Sequence, residues 1–157
     1  MFRIGNGIDI HKLIEGSGFL LGGTFIKSKY AILAHSDGDI LYHAMSDALL
    51  GAISFGDIGE HFPDNSKKTE NMNSEEIFLF CLQKVYEKGY KLSNIDSTIM
   101  LETPKLRPYI IKIRENITKV SNLDIDQISI KATTTEKLGY VGQHKGIQVH
   151  STCLIYK

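Results

Sequence analysis

Apolar and polar residues alternate from the start of the chain. In "FRIGNGIDIH", Ile4, Ile8 and Ile10 fall on one side of a period-2 pattern and Asp9 and His11 on the other, which predicts a strand over 2–12. One face is apolar and the other sets a carboxylate beside an imidazole. An ordinary solvent face and a metal or phosphate site both fit those residues. "FLLGGTFI" (19–26) predicts a second strand, with Gly22-Gly23 as a bend or bulge. The period then changes. Ile40, Leu41, Ala44, Met45, Ala48, Leu49, Ala52 and Ile53 recur at helical spacing and predict a helix closed by Gly56. Ser36, three residues before Asp39, gives it a capping-box-like start. The polar stretch 56–73 predicts a long loop. Ile77, Phe78, Cys81, Leu82 and Val85 predict a helix from about 74 to 88, capped by Asn73 and stopped by Gly89. A strand follows at 93–102, then a helix at about 106–121 with Pro108 in its first turn. The last two strands are expected at 127–136 and 146–157.

This order, with no repeat, linker or low-complexity tract, predicts one domain over 1–157. The expected class is α+β, an α/β sandwich: a mixed four-stranded sheet with three helices on one face, plus a small hairpin. At 157 residues, 42% hydrophobic and 23% charged, the chain has the composition of an ordinary globular protein. Eighteen basic and 18 acidic residues cancel, so charge gives no reason to expect nucleic acid or an anionic membrane. A small anionic ligand needs only local positive charge. No apolar run is long enough to span a bilayer. The opening "MFRIGNGIDIH" lacks the continuous apolar stretch of a signal peptide, so a cytoplasmic location is expected. Cys81 and Cys153 stand in unrelated contexts without a CxxC, and read as buried free thiols.

Asp39, His43 and Asp47 are four apart and share one stripe of the first helix. A solvated polar face explains such a stripe. So does a metal-bound imidazole whose other N–H goes to a carboxylate, which makes Asp39 and Asp47 candidate partners behind His43. Asp9 and His11 together with His43 make two imidazoles and a carboxylate, a zinc-type set with its fourth position open. The alternative is two unrelated polar faces. His35 and Ser36 precede a helix amino terminus, where phosphate is favoured, although turn chemistry explains Ser36 equally well. Thr133, Thr134 and Thr135 could serve phosphate oxygens and Glu136 a hard cation such as Mg²⁺, or they reflect the β-propensity of threonine. Lys105 is either a phosphate contact or a solvated loop lysine.

Five motifs run in order from residue 3 to 139: "RIGNGIDIH", "LAHSDGDILYHAMSDALLGA", "GDIGEHFPD", "ETPKL" and "IKATTTEKLG". Together they closely resemble the 2-C-methyl-D-erythritol 2,4-cyclodiphosphate synthase family of the non-mevalonate isoprenoid pathway. The resemblance implies a phosphorus–oxygen lyase. It would convert 4-diphosphocytidyl-2-C-methyl-D-erythritol 2-phosphate to the cyclic diphosphate and release CMP. It also implies a homotrimer with sites between adjacent subunits. Zinc, or another divalent transition metal, would be held by Asp9, His11 and His43, and Mg²⁺ or Mn²⁺ by Glu136. His35 and Thr134 match positions that orient the reactants and stabilise the transition state. Asp57, Ile58 and Gly59, with Phe62, Pro63, Asp64, Asn65 and Ser66, match the methylerythritol pocket. Leu101, Glu102, Thr103, Pro104, Lys105, Leu106 and Arg107 match the cytidine pocket. Asp9, His11, His35, Ser36, Thr133 to Glu136, Tyr140 and Gln143 complete the implied substrate contacts.

Two departures stand out. Asn6 occupies a position where many members carry His. In "GQHKG" (142–146), Gln143 and Lys145 replace the Arg and Glu of the family's Gly-Arg-x-Glu-Gly. That segment closes one end of a central cavity proposed to hold isoprenoid diphosphates, so this ligand stays open. Two rival readings use the same residues: a zinc hydrolase of phosphoesters, and a metal-stabilised trimer that senses a phosphorylated ligand.

Overall fold

The computed structural model describes residues 1–63 and 72–157. Long β1 (Phe2–Glu15) is followed by three short strands, β2 (Gly18–Leu21), β3 (Thr24–Lys27) and β4 (Tyr30–Leu33). Then come α1 (Ile40–Ala52), the single turn α2 (Ile58–His61), α3 (Ser74–Glu87) and β5 (Lys91–Met100). A 3₁₀ turn at Arg107–Tyr109 leads into α4 (Ile110–Ser121), and β6 (Ile128–Thr133), the single turn α5 (Gly139–Gly142) and β7 (Gly146–Tyr156) complete the chain. The main sheet has five strands in the order β4-β1-β7-β5-β6, and β2-β3 forms a separate hairpin. All pairs in the main sheet are antiparallel except β5-β6, whose crossover is α4.

The α+β class, the three long helices and the hairpin agree with the sequence reading, but the counts differ. The sheet has a fifth strand, because "YAIL" pairs along β1 at its edge (Lys12↔Leu33 to Glu15↔Tyr30). "FLLGGTFI" is two strands rather than one bent strand. Gly22 and Gly23 have φ of 55° and 70°, and positive φ at both central residues makes a tight two-residue hairpin turn. The first helix ends at Ala52, short of Gly56, and "TTTE" leaves the strand after Thr133.

Apolar side chains from the sheet (Ile95, Ile99, Ile147, Val149, Ile155) and from the helices (Leu41, Met45, Leu49, Phe78, Val85, Ile113, Ile117) meet in one buried cluster. Each such side chain contributes about 1.5–3 kcal/mol when fully buried. Cys81 and Cys153 lie in this core as free thiols, and burial pushes them up to about 12 and about 11. Among the described residues no helix is long and apolar enough to cross a membrane.

β1 has an unexpected polarity. Gly5, Gly7 and Leu13 are buried on its helix-facing side, the side that also carries Asp9 and His11. Phe2, Ile4, Ile8 and Ile10 face outward and are 73%, 70%, 49% and 52% exposed. The cause is a close approach of α1. A Cβ on Gly5 would lie 1.7 Å from the Ala48 carbonyl oxygen, and one on Gly7 would lie 2.1 Å from that of Ala44. Only glycine on the strand, facing alanines on the helix, lets the two backbones come this near.

Candidate metal centre and its flanking cavities

The close approach places His43, in the first turn of α1, over the middle of β1. Its Nδ1 is 3.0 Å from Asp9 Oδ2, and His11 Nδ1 is 3.2 Å from the same oxygen. One ligand atom from each of the three side chains lies within 4.8 Å of the others. Asp9 Oδ1 accepts the Ile10 N–H at 2.8 Å, which fixes the carboxylate plane. Burial acts to raise the Asp9 pKa, but the hydrogen bonds and charges of His11 and His43 outweigh it and hold the carboxyl well below its usual range. Burial acts to lower the His43 pKa, and the Asp9 hydrogen bond and charge reverse the effect, so the ring is more basic than normal.

The donor set fits a zinc-type ion. His11 Nδ1 is buried, and apart from its 3.2 Å approach to the Asp9 oxygen that His43 also meets it has no polar partner among the described residues. Buried polar atoms are rarely left so weakly paired. This one converges with a second imidazole nitrogen on a carboxylate oxygen, the N, N, O combination of three-ligand catalytic zinc sites. The group opens into a cavity of about 170 Å³, lined also by His35, Ser36, Ile58, Phe62 and Ile77.

The expectation that Asp39 and Asp47 stand behind His43 is corrected by their partners. Asp39 is buried and accepts from the Gly22 N–H (2.9 Å), the Gly23 N–H (2.7 Å) and the Tyr42 N–H (3.4 Å). Burial raises its pKa against these bonds. It caps α1 and ties the hairpin turn to it. Asp47 accepts from the Ile58 N–H at 2.8 Å and so anchors α2, which brings Ile58 to the cavity. The carboxylate that meets the His43 ring is Asp9. The far nitrogen, Nε2, meets the hydroxyls of Ser74 at 2.8 Å and Ser36 at 3.2 Å. The sequence carried no signal for Ser74, which looks like any small residue opening a helix.

The other candidate residues fall around these elements. Asp57 caps α2 by accepting from the Glu60 N–H at 2.9 Å, with Gly59 within that turn and Pro63 just beyond it. Asp64, Asn65 and Ser66 lie outside the described residues. Leu101, Pro104, Lys105, Leu106, Arg107, Thr133 and Thr134 line a second, larger cavity of about 650 Å³, together with Ile110, Ile111, Lys131 and Ala132. Glu102 and Thr135 fasten its two rims, since Glu102 Oε1 accepts from the Thr135 N–H (2.8 Å) and hydroxyl (3.2 Å). Thr103 precedes a cis peptide to Pro104. Glu136 is exposed and accepts from the Thr134 hydroxyl at 2.8 Å. Glu136 and Lys137 are both left-handed, with φ of 53° and 65°. Such conformations persist where surrounding structure enforces them, often at functional sites. Tyr140 and Gln143 belong to α5 and its end and line neither cavity. The two cavities share no residue.

A family model described as the YgbB family matches residues 2–156. The chain belongs to that family. It is 46% identical over 155 residues to 2-C-methyl-D-erythritol 2,4-cyclodiphosphate synthase of Ectopseudomonas mendocina, covering 99% of each chain. Part of the bifunctional IspDF from Campylobacter jejuni has the same fold. The TM-score is 0.94 at 42% identity, and 99% of this chain corresponds to 42% of that longer one. An IspF of Plasmodium falciparum, solved as a CDP complex, matches with a TM-score of 0.85 at 38% identity over 98% of this chain and 95% of that one. Family membership bears out the resemblance carried by the sequence motifs, and the solved structures share the α+β fold.

Proposed function

We propose that the chain, as one synthase domain over 1–157, converts 4-diphosphocytidyl-2-C-methyl-D-erythritol 2-phosphate to 2-C-methyl-D-erythritol 2,4-cyclodiphosphate. The observation that carries this reading is the convergence of Asp9, His11 and His43 on a cavity, in a chain nearly half identical to named synthases over its whole length. The CDP held by the Plasmodium relative supports a CDP-linked substrate.

In the proposed reaction the 2-phosphate oxygen attacks the β-phosphorus in line, the β-phosphorus–oxygen bond to the cytidyl phosphate breaks, and CMP departs. The reaction class is that of a phosphorus–oxygen lyase. The nucleophile is already anionic, so it needs no general base. Positioning and charge neutralisation are what the protein supplies. Asp9, His11 and His43 would hold zinc or a similar divalent ion, and Glu136 would hold Mg²⁺ or Mn²⁺ jointly with substrate phosphates, as that ion prefers. Bound there, the two cations would polarise the β-phosphate and offset charge on the leaving group. His35 and Ser36 line the cavity beside the three ligands and would orient phosphate oxygens. Asp57, Ile58, Gly59, Phe62 and Pro63 would enclose the methylerythritol part and keep water out. Leu101 to Arg107 and Thr133 to Thr135 would take the cytidine and its phosphate, with Lys105 and Arg107 supplying positive charge and Thr134 a hydroxyl to the transition state. Tyr140 and Gln143 would stand at the outer margin.

A homotrimer accords with two features. The metal-side and cytidine-side cavities are separate within one chain, and the outer face of β1 exposes Phe2, Ile4, Ile8 and Ile10. Packing that face against further copies would bury it and bring complementary cavities together. Phosphorus NMR of the protein with the cytidyl substrate, zinc and Mg²⁺ tests the reaction. CMP with a cyclic diphosphate is the expected product pair. CMP with a linear product would make water the nucleophile and the protein a hydrolase. Zinc binding without turnover would make it a sensor.

A further inference from the structure

His43 is held from behind as well as from the front, and the hydrogen bonds behind it have a direction. Ser74, the first residue of α3, is fully buried. Its hydroxyl donates to Asp37 Oδ1, and its backbone N–H donates to Asp37 Oδ2 at 3.1 Å. A serine hydroxyl has one proton, and an ionised carboxylate can only accept. With that proton committed to Asp37, the Ser74 oxygen can meet His43 Nε2, 2.8 Å away, only as an acceptor. Nε2 therefore carries the hydrogen. Ser36 Oγ, 3.2 Å from the same nitrogen, already receives the Gly38 N–H at 3.2 Å and presents a second oxygen on that side. Nδ1 is left as the nitrogen that faces Asp9 and His11, hydrogen-bonded to Asp9 Oδ2 at 3.0 Å in the metal-free chain and free to offer its lone pair once a metal takes the place of that proton.

Helix capping does not account for Ser74. The cap of α3 is Asn73, whose side chain takes the Glu75 N–H at 2.9 Å. The serine hydroxyl instead links three segments: the turn before α1, the first turn of α1 and the start of α3. We propose that Ser74, itself fixed by Asp37, is a positioning residue that sets the orientation and tautomer of His43 so that Nδ1 is offered to a zinc-type ion. This rests on the metal reading of Asp9, His11 and His43.

The test is zinc affinity of the metal-stripped full chain, measured by chelator competition, with the imidazole ¹H–¹⁵N spectrum of the zinc-loaded protein alongside. Loss of a hydrogen-bond partner behind a metal-bound imidazole weakens binding about 10- to 100-fold, and that loss is expected for Ser74→Ala. Asp37→Asn, at an exposed position, shifts affinity in the same direction and carries the test if Ser74→Ala fails to fold. In a His43→Ala background, Ser74→Ala is expected to have no further effect on the residual affinity. Wild-type affinity in Ser74→Ala, with the Nε2–H signal unmoved, overturns the proposal and leaves the metal site standing. An equal loss with and without His43 overturns it too, because the serine would then act on the fold at large. A wild-type chain that binds no zinc overturns the metal reading and this proposal with it.

Discussion

Gly7→Ala tests the idea that glycine on β1 brings the candidate metal ligands Asp9, His11 and His43 together. The added Cβ would lie 2.1 Å from the Ala44 carbonyl oxygen, 2.7 Å from the Ala48 nitrogen and 2.9 Å from Asp47 Cβ. The two nearest atoms are helix backbone, so no flexible side chain can swing aside. Ordinary contact begins at 3.4 Å, so α1 must retreat from β1 by about 1 Å. His43 directly precedes Ala44 and moves with it, while Asp9 stays on the strand two residues past Gly7. Their 3.0 Å contact is lost. Metal–ligand distances hold to within about 0.2 Å, and a 1 Å misplacement of oriented groups costs about 100-fold. Zinc affinity and CMP release should both fall by about that factor. Overpacking should also remove about 1–3 kcal/mol of stability, lowering the melting temperature by roughly 2–10 °C. Gly51→Ala is the control, because its Cβ would meet only the Asn6 carbonyl oxygen, at 3.7 Å, and alanine is the better helix former. Unchanged zinc affinity and melting temperature in Gly7→Ala would refute the reasoning.

Asp39→Ala should destabilise the fold without touching the candidate metal ligands, by about 1–3 kcal/mol for each buried N–H left unpaired, as read from denaturant unfolding. Metal-selective loss in this variant would restore Asp39 as a partner of His43. In the metal-free protein the raised His43 pKa contributes stability that is complete below about pH 6.5 and lost as pH rises through the folded value. The depressed Asp9 pKa contributes stability that is complete above about pH 4 and lost as pH falls through its folded value. Melting temperature against pH should therefore decline on the alkaline side, and zinc, taking the place of the proton between the two groups, should abolish that decline. Ile8→Glu, on the outer face of β1, should leave the circular dichroism spectrum intact while sedimentation shifts towards monomer. A variant that sediments like the parent chain would exclude that face from the proposed trimer.

The long elements were legible because their periods are unambiguous. α1, α3 and α4 each repeat apolar residues at helical spacing, and Asn73 caps α3 as its side chain suggested. The pairing of Asp9 and His11 with His43 was proposed from ligand chemistry, and the fold brings the three together. Which side of β1 faces inward was not legible. Period-2 alternation defines two faces but not their destinations, and the usual rule would bury Ile8 and Ile10. The deciding signal was Gly5 and Gly7, on the same side as Asp9 and His11, opposite Ala44 and Ala48 of the helix. The role of Asp39 was hidden for a related reason. Its position in the helix stripe suggested His43, but its carboxylate is taken by backbone N–H groups of a hairpin some seventeen residues earlier in the chain. "YAIL" was too short to declare itself as a strand without β1 beside it.

The alternation in β1 also makes strand register a condition of function. From Phe2↔Tyr156 to Lys12↔Gly146 the strand is paired residue by residue with β7. A slip of one position would turn every side chain to the opposite face, sending Asp9 and His11 outward and Ile8 and Ile10 into the ligand cluster. It would also drive Ile4, Asn6 or Ile8 against the α1 backbone, where only a hydrogen atom fits. The glycine pair is thus a steric key that admits one alignment. A chain that folded out of step could neither seat its first helix nor gather Asp9, His11 and His43, so a closed cluster in a newly made molecule would report that its strands had paired correctly.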